Sequence, residues 1–265
     1  MKKRFDSSDD AFLKNVGEVP SVQTESFKGD RDEASESPNS SRRRFLTTMT
    51  LGGAMAGLVT AAGRELVEPR PVLAQSKLSP EAALKELIAG NKRFTSGRST
   101  AHDEDLAILK ANTSEKQEPF AAILSCADSR VPVEKLFDQS IGHLFGTRVA
   151  GNIVTSEIIA SLEFGAGVLG TRVILVLGHG GCGAVKASIQ TAVVPGQISA
   201  LYPYIRPAVD QAGTDLEKVT KANARIQAAL LRKASTVISG LVKEGKLIVT
   251  SGFYDITNGS VTLLE

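Results

Sequence analysis

Four short apolar runs stand out along the chain: Phe120 to Leu124, Leu144 to Val149, Val173 to Leu177 and Leu247 to Thr250. Their length and composition suit buried strands. Helical patterns lie between them, notably Ser156 to Val168 and a long polar and apolar alternation from Leu216 to Lys243 with a break expected inside it. Ahead of the first strand, Ser79-Pro80-Glu81 supplies a capping hydroxyl, a proline at the first helical position and an acid in the first turn. Ala83, Leu84, Leu87 and Ile88 then recur at helical spacing, with stops offered by Gly90-Asn91 and Ser96-Gly97. This amphipathic helix would cover its own core, and its place before the first strand also suits packing on a neighbouring subunit. Strands alternating with helices imply the α/β class, with a mainly parallel central sheet flanked by helices on both faces. The pattern shows no internal repeat, and residues 75–265 read as one domain.

The N-terminal part of the chain does not follow this pattern. Residues 1–40 are rich in Ser, Asp, Glu and Lys with scattered apolar residues, a composition that cannot bury enough surface to offset chain entropy, so they are expected to be disordered. Residues 41–74 have the layout of a bacterial twin-arginine export signal: Ser41-Arg42-Arg43-Arg44-Phe45-Leu46, then a mild apolar stretch from Thr47 to Gly63. That stretch carries four glycines and falls short of the roughly 20 strongly apolar residues of a comfortable membrane span. Val72-Leu73-Ala74 offers small residues to a signal peptidase, which would start the mature chain at Gln75 in the periplasm or beyond, with no stable membrane span. An uncleaved anchor is the alternative.

Charge narrows the partners. The 265 residues carry 31 Lys and Arg against 29 Asp and Glu and contain no Trp, so neither a basic stripe nor a stacking platform for nucleic acid is present. A small-molecule substrate is expected.

The candidate chemistry sits where the apolar runs end. Cys126 follows the first, and His179 and Cys182 follow the third. In parallel sheets working residues gather at the carboxyl ends of strands. Two thiolates and an imidazole make a zinc set, and three protein ligands leave a fourth corner open for water. Asp128 and Arg130 beside Cys126 add a carboxylate and a guanidinium that a purely structural site would not need. Only two cysteines exist, and His102 and His143 carry no ligand spacing, so any fourth protein ligand is an oxygen, with Asp128 the nearest. The rival is a single Cys126–Cys182 disulfide in an exported chain. It gives no reason for His179, Asp128 or Arg130, and the twin-arginine route carries proteins already folded, so metal can be loaded before export.

Cys126-Ala127-Asp128-Ser129-Arg130-Val131, together with Gly178-His179-Gly180-Gly181-Cys182-Gly183-Ala184-Val185, resembles the β class of carbonic anhydrases. Corroborating patterns are Gly90-Asn91-Lys92-Arg93-Phe94, Arg148-Val149-Ala150-Gly151-Asn152 and Gly245-Lys246-Leu247 through Tyr254-Asp255. The resemblance implies one Zn2+ per subunit on Cys126, His179 and Cys182, and a catalytic dyad of Asp128 with Arg130 beside the metal-bound water. It also implies hydration of carbon dioxide to bicarbonate, and homodimers or multiples of dimers. The family occurs in an open form and in a closed form in which the aspartate becomes a fourth ligand. Closed members carry Trp three residues before the first cysteine, where this chain has Ile123, so the open form is expected. Gln117 matches a substrate-binding glutamine and Phe145 an aromatic wall of the pocket; read alone, they are a loop residue and a core aromatic. Phe164 takes the place of a pocket Tyr of some members. His143 reads as a surface turn residue, with proton relay as the alternative. Two thiolates cancel the formal charge of zinc, so hydration is expected to rise through mildly alkaline pH. Carbon disulfide or carbonyl sulfide hydrolysis on the same ligand set, and a catalytically silent exported zinc module, are the competing functions.

Overall fold

The computed structural model describes residues 76–101, 108 and 117–264. The polar extension, the twin-arginine segment, the expected cleavage at Ala74 and His102 lie outside the described residues. Helix α1 spans Pro80–Thr95. Strand β1 follows at Ala121–Ser125, a short helix α2 at Val133–Leu136 and β2 at Leu144–Arg148. Helix α3 (Ser156–Glu163) widens into a π turn over Phe164–Val168 before β3 at Val173–His179. Helices α4 (Gly183–Gln190), α5 (Tyr202–Ala212), α6 (Leu216–Ala234) and α7 (Thr236–Lys243) precede β4 (Ile248–Tyr254) and β5 (Val261–Leu264).

The strands form one sheet in the order β2-β1-β3-β4-β5. The first four are parallel, and β5 runs antiparallel to β4 at the edge. The expected α/β architecture is therefore present, with both faces of the sheet covered. On one face, Ala122, Leu124, Ile174 and Val176 pack with Leu162 of α3, Ala224, Ala228 and Leu231 of α6, and Ile238 of α7. On the other, Ala121, Ile123, Leu175 and Leu177 pack with Ala83 and Leu87 of α1 and with Val133, Leu136 and Phe137. Alternate residues of β1 thus face alternate layers, as the pleat requires. Since both layers are apolar, the first four residues of β1 and the first five of β3 read as unbroken hydrophobic runs.

Two sequence expectations resolve into sharper statements. Helix α1 starts at its expected cap, with Ser79 Oγ accepting the Ala82 N–H at 3.2 Å, but it runs through Gly90-Asn91 instead of stopping there. Those residues are a docking point. A methyl group at position 90 would lie 1.8 Å from the Phe137 carbonyl oxygen, so glycine lets α1 press against backbone. Asn91 Nδ2 donates to Leu136 O at 3.0 Å and Gly259 O at 2.9 Å, and its Oδ1 accepts the Val261 N–H at 2.8 Å. The break inside the long C-terminal helical pattern falls at Ser235, whose backbone is extended and whose Oγ caps α7 by accepting the Ile238 N–H at 3.0 Å.

Gly90→Ala is therefore expected to destabilise the protein by about 1–3 kcal/mol or more, because a clash with a main-chain carbonyl cannot be relieved by a rotamer change. Urea unfolding of the variant checks this, and an unchanged midpoint would contradict the close approach.

Candidate metal centre

The strand order changes direction at β1 and β3, since the chain leaves β1 for β2 on one side and continues into β3 on the other. A crevice opens at such a switch point beyond the carboxyl ends of the strands. Ser125 is level with Leu177, so Cys126, the next residue of the chain, comes alongside Gly178 and His179. His179 is the last residue of β3, and Cys182 is the N-cap of α4 after a tight turn through Gly181 at φ +66°.

The ligand atoms of Cys126, His179 and Cys182 all lie within 4.8 Å of one another, and all three residues are buried. The imidazole is oriented by its neighbour. Nδ1 lies 2.9 Å from the Gly180 carbonyl, which can only accept, so Nδ1 carries the proton and Nε2 presents a lone pair. That Nε2 is buried and has no hydrogen-bond partner among the described residues. An unsatisfied buried nitrogen aimed between two sulfurs is what a metal ligand looks like before the metal is counted. Both cysteines are free thiols. The Cys126 thiol lies well below its usual range, chiefly because Cys182 donates to it, with His179 and the Gly151 N–H adding to the effect. That donated bond, together with burial, pushes the Cys182 thiol up. Two neighbouring buried thiols resist ionising together, and a divalent cation between them would favour both thiolates. Zinc fits this donor set.

Asp128 and Arg130 stand on the loop that leaves β1. Arg130 Nε donates to Asp128 Oδ1 at 2.9 Å, and Nη2 donates to Oδ2 at 2.8 Å. The Arg130 backbone N–H adds a third bond to Oδ1 at 2.9 Å. Arg130 Nη2 also reaches the Gly181 carbonyl at 3.4 Å, tying this loop to the turn that carries Cys182. The Arg130 side chain is the main reason the Asp128 carboxyl sits well below the usual carboxylate range. Asp128 Oδ2 remains 3.9 Å from His179 Nε2, beside the ligand group while bonded to arginine.

Sequence reasoning did not assign a role to Arg148, the last residue of β2. Its Nε donates to Cys126 O at 3.1 Å and its Nη2 to Asp128 O at 2.6 Å, so one guanidinium fixes the backbone of the whole Cys126–Asp128 turn. The available signal was its place at a strand's carboxyl end, next to the site.

Gln117 and Phe145 are not brought to this group within the chain. Gln117 is exposed ahead of the N-terminal end of β1, while Cys126 follows the other end, roughly 17 Å along the strand. Phe145 pairs with Ala122, four residues back from Cys126, and its ring lies against Phe164 at 6.3 Å between centroids. His143 is exposed in the turn that leads into β2, also at the far end of the sheet.

Comparison with known proteins agrees with this geometry. A family model described as carbonic anhydrase matches residues 121–261. Carbonic anhydrase 2 of Mycobacterium tuberculosis is 33% identical over 195 residues, which are 71% of this chain and 94% of that protein. The β-carbonic anhydrase CafA of Aspergillus fumigatus shares the fold with a TM-score of 0.56 at 22% identity, over 69% of this chain and 90% of that one. A chain of the tetrameric β-carbonic anhydrases of Sordaria macrospora matches with a TM-score of 0.54 at 18% identity, over 68% of this chain and 96% of that one. With its paired cysteines and histidine at the switch point of a parallel sheet, the chain belongs to the carbonic anhydrase family, in the β class.

Proposed function

We propose that this carbonic anhydrase hydrates carbon dioxide reversibly to bicarbonate and a proton at an open zinc site, as a homodimer or multiple of dimers, after export by the twin-arginine route. The observation that carries the open form is the forked bond between Arg130 and both carboxylate oxygens of Asp128, beside three converging soft ligands.

Cys126 Sγ, His179 Nε2 and Cys182 Sγ would hold the ion, with room for solvent beside these three ligands. Zinc there supplies a Lewis acid that makes water a competent nucleophile near neutral pH. The remaining work belongs to the chain. An ionised Asp128 only accepts hydrogen bonds, so beside the ligand group it can accept one from a solvent O–H and orient it. Arg130 keeps Asp128 from turning onto the ion, because a charge-assisted bidentate pair holds both oxygens at once. Arg148 keeps the loop beneath them in place. Ile153, Val185 and Ile205 pack around the two cysteines and exclude water from the inner side.

Assembly is supported by what a single chain leaves incomplete. Gln117 and Phe145 stand away from their own metal group, and Phe164 and Val237 leave apolar surface at 45% and 42% exposure. A second copy docked near β2 would cover this surface and could bring such residues to the site. Export is supported by Ser41-Arg42-Arg43-Arg44-Phe45-Leu46 and by the site itself, since two neighbouring thiols need their metal before meeting an oxidising compartment.

Purified protein is expected to contain one zinc per chain and to hydrate carbon dioxide in stopped-flow assays, with loss of activity on chelation. A metal-free protein with its cysteines joined would overturn the proposal. Cys126→Ser should lose metal and rate together. Arg130→Ala should retain metal but lose on the order of a hundredfold in kcat/KM, the cost of a misplaced catalytic group. The pair has a pH signature as well. The folded pKa of Asp128 is depressed, so its contribution to stability is present above the unfolded value of about 3.9 and fades as pH falls through the folded value. Acid unfolding of Arg130→Ala should therefore begin at a higher pH than that of the wild type. Changing Arg42 and Arg43 to Lys should leave the chain in the cytoplasm, which cell fractionation reads directly.

A further inference from the structure

Helix α6 carries two fully buried amides, Asn223 and Gln227, on one face of the helix, four residues apart. Their neighbours on the helix, Val219, Ala224, Ala228 and Leu231, are apolar core. A core helix gains more from Leu than from an amide unless every polar atom finds a partner. Here every one does. Gln227 Oε1 accepts the Val154 N–H at 2.8 Å, and its Nε2 donates to Tyr204 O at 2.9 Å and to Asn223 Oδ1 at 3.1 Å. With Asn223 Oδ1 so engaged, its Nδ2 is turned toward the Gly151 carbonyl and donates to it at 2.9 Å.

One of these bonds lands on the short turn Ala150–Asn152 and another just past it at Val154, and this turn touches the metal group. The Gly151 N–H points at Cys126 Sγ at 3.4 Å. Gly151 has φ +77° and ψ +12°, and a Cβ there would lie 2.8 Å from Ile205 Cδ1, so both backbone conformation and space require glycine. The turn has little intrinsic rigidity of its own, because glycine restricts the backbone least. Asn223 at its centre and Gln227 at Val154 supply that rigidity from the helix.

We infer that Asn223 and Gln227 are positioning residues for the metal centre, holding the Gly151 N–H on the Cys126 sulfur. The inference rests on the zinc reading above. A hydrogen bond to a metal-bound thiolate fixes the direction of a sulfur lone pair and withdraws charge from it. Withdrawal counts in this site because two thiolates neutralise the formal charge of a divalent ion, and each N–H on sulfur returns part of its Lewis acidity. The network therefore links a core helix to the electronics of the metal without contacting substrate.

The test uses the wild-type protein loaded with an NMR-active cadmium isotope, with its backbone nitrogen labelled. A scalar coupling between cadmium and the Gly151 amide proton, transmitted through the N–H···S bond, is expected. Asn223→Leu should abolish that coupling. In the cobalt-loaded variant the sulfur-to-cobalt charge-transfer band should move to longer wavelength, and cobalt affinity should fall about tenfold, the lower end of the cost of losing an outer-shell partner. Gln227→Met should act in the same direction. Stoichiometric metal without coupling in the wild type overturns the inference and leaves the zinc reading standing, as do folded variants with unchanged cobalt spectrum and affinity. Wild-type protein that binds no metal sinks both. Should the variants fail to fold, the wild-type coupling alone decides.

Discussion

The parallel register of β1 against β3 is the constraint on which the metal centre depends. Ser125 is level with Leu177, and because both strands run the same way their exits lie side by side. A ligand one residue past β1 therefore meets a ligand at the end of β3. A slip of one residue would turn Ile123 and Leu175 out of one core layer and into the other, exchanging side chains between faces that pack against different helices. Packing of α1 on one side and of α3, α6 and α7 on the other thus sets the sulfur and nitrogen positions through the register alone. The geometry of the site is a consequence of the core.

Within that frame, the chain handles charge in layers. Two buried sulfurs and an imidazole suit a divalent cation, whose formal charge two thiolates would offset. Arg130 and Arg148 surround the Cys126–Asp128 turn, one on the carboxylate and the other on backbone carbonyls. Arg130 can bind Asp128 tightly because three of its contacts act together: two guanidinium bonds and its own backbone N–H. The Arg130 end of the pair is exposed, so its contribution to stability is modest and shows on the acid side. Its effect is directional, and it decides which way the Asp128 carboxylate faces when its Oδ2 lies only 3.9 Å from His179 Nε2.

Much of this was legible in the sequence because the relevant signals were local. Unbroken apolar runs marked β1 and β3, Ser79-Pro80-Glu81 marked the start of α1, and cysteines at strand ends marked the metal group. What escaped depended on contacts far apart in the chain. Strand β5 is short and partly exposed, and it exists because Asn91 and β4 give its backbone partners. Helix α5 takes Pro203 in its first turn, where proline is tolerated, but Pro207 inside it argues against a helix locally and is overruled by the burial of Ile205 and Ala208. Gly90-Asn91 read as a stop because the sequence does not display the Phe137 carbonyl against which the glycine packs. Arg148 and Asn223 likewise carried no ligand spacing, since their roles arise from where β2 and α6 end up.

The positions of Gln117 and Phe145 lead the argument from the fold to the assembly. Each lies on the approach to its strand or early within it, whereas the metal group lies past the strand ends, and a five-residue strand separates the two levels. No rotamer closes the gap to Cys126, roughly 17 Å along the strand for Gln117 and roughly 13 Å for Phe145, which is level with Ala122. Within a single chain, then, Gln117 is a surface residue and Phe145 stacks at the edge of the core against Phe164. Edge strand β2 is where the difference can be resolved, because among the described residues it pairs with β1 alone and its other edge has no strand partner. A sheet edge flanked by half-exposed Phe164 and Val168 favours cover by another surface over bare solvent. The same edge ends in Arg148, whose guanidinium holds the Cys126–Asp128 turn, so contact with a second chain there would bear on the loop that positions Asp128. If two copies meet there as proposed, assembly and catalysis would share one structural element.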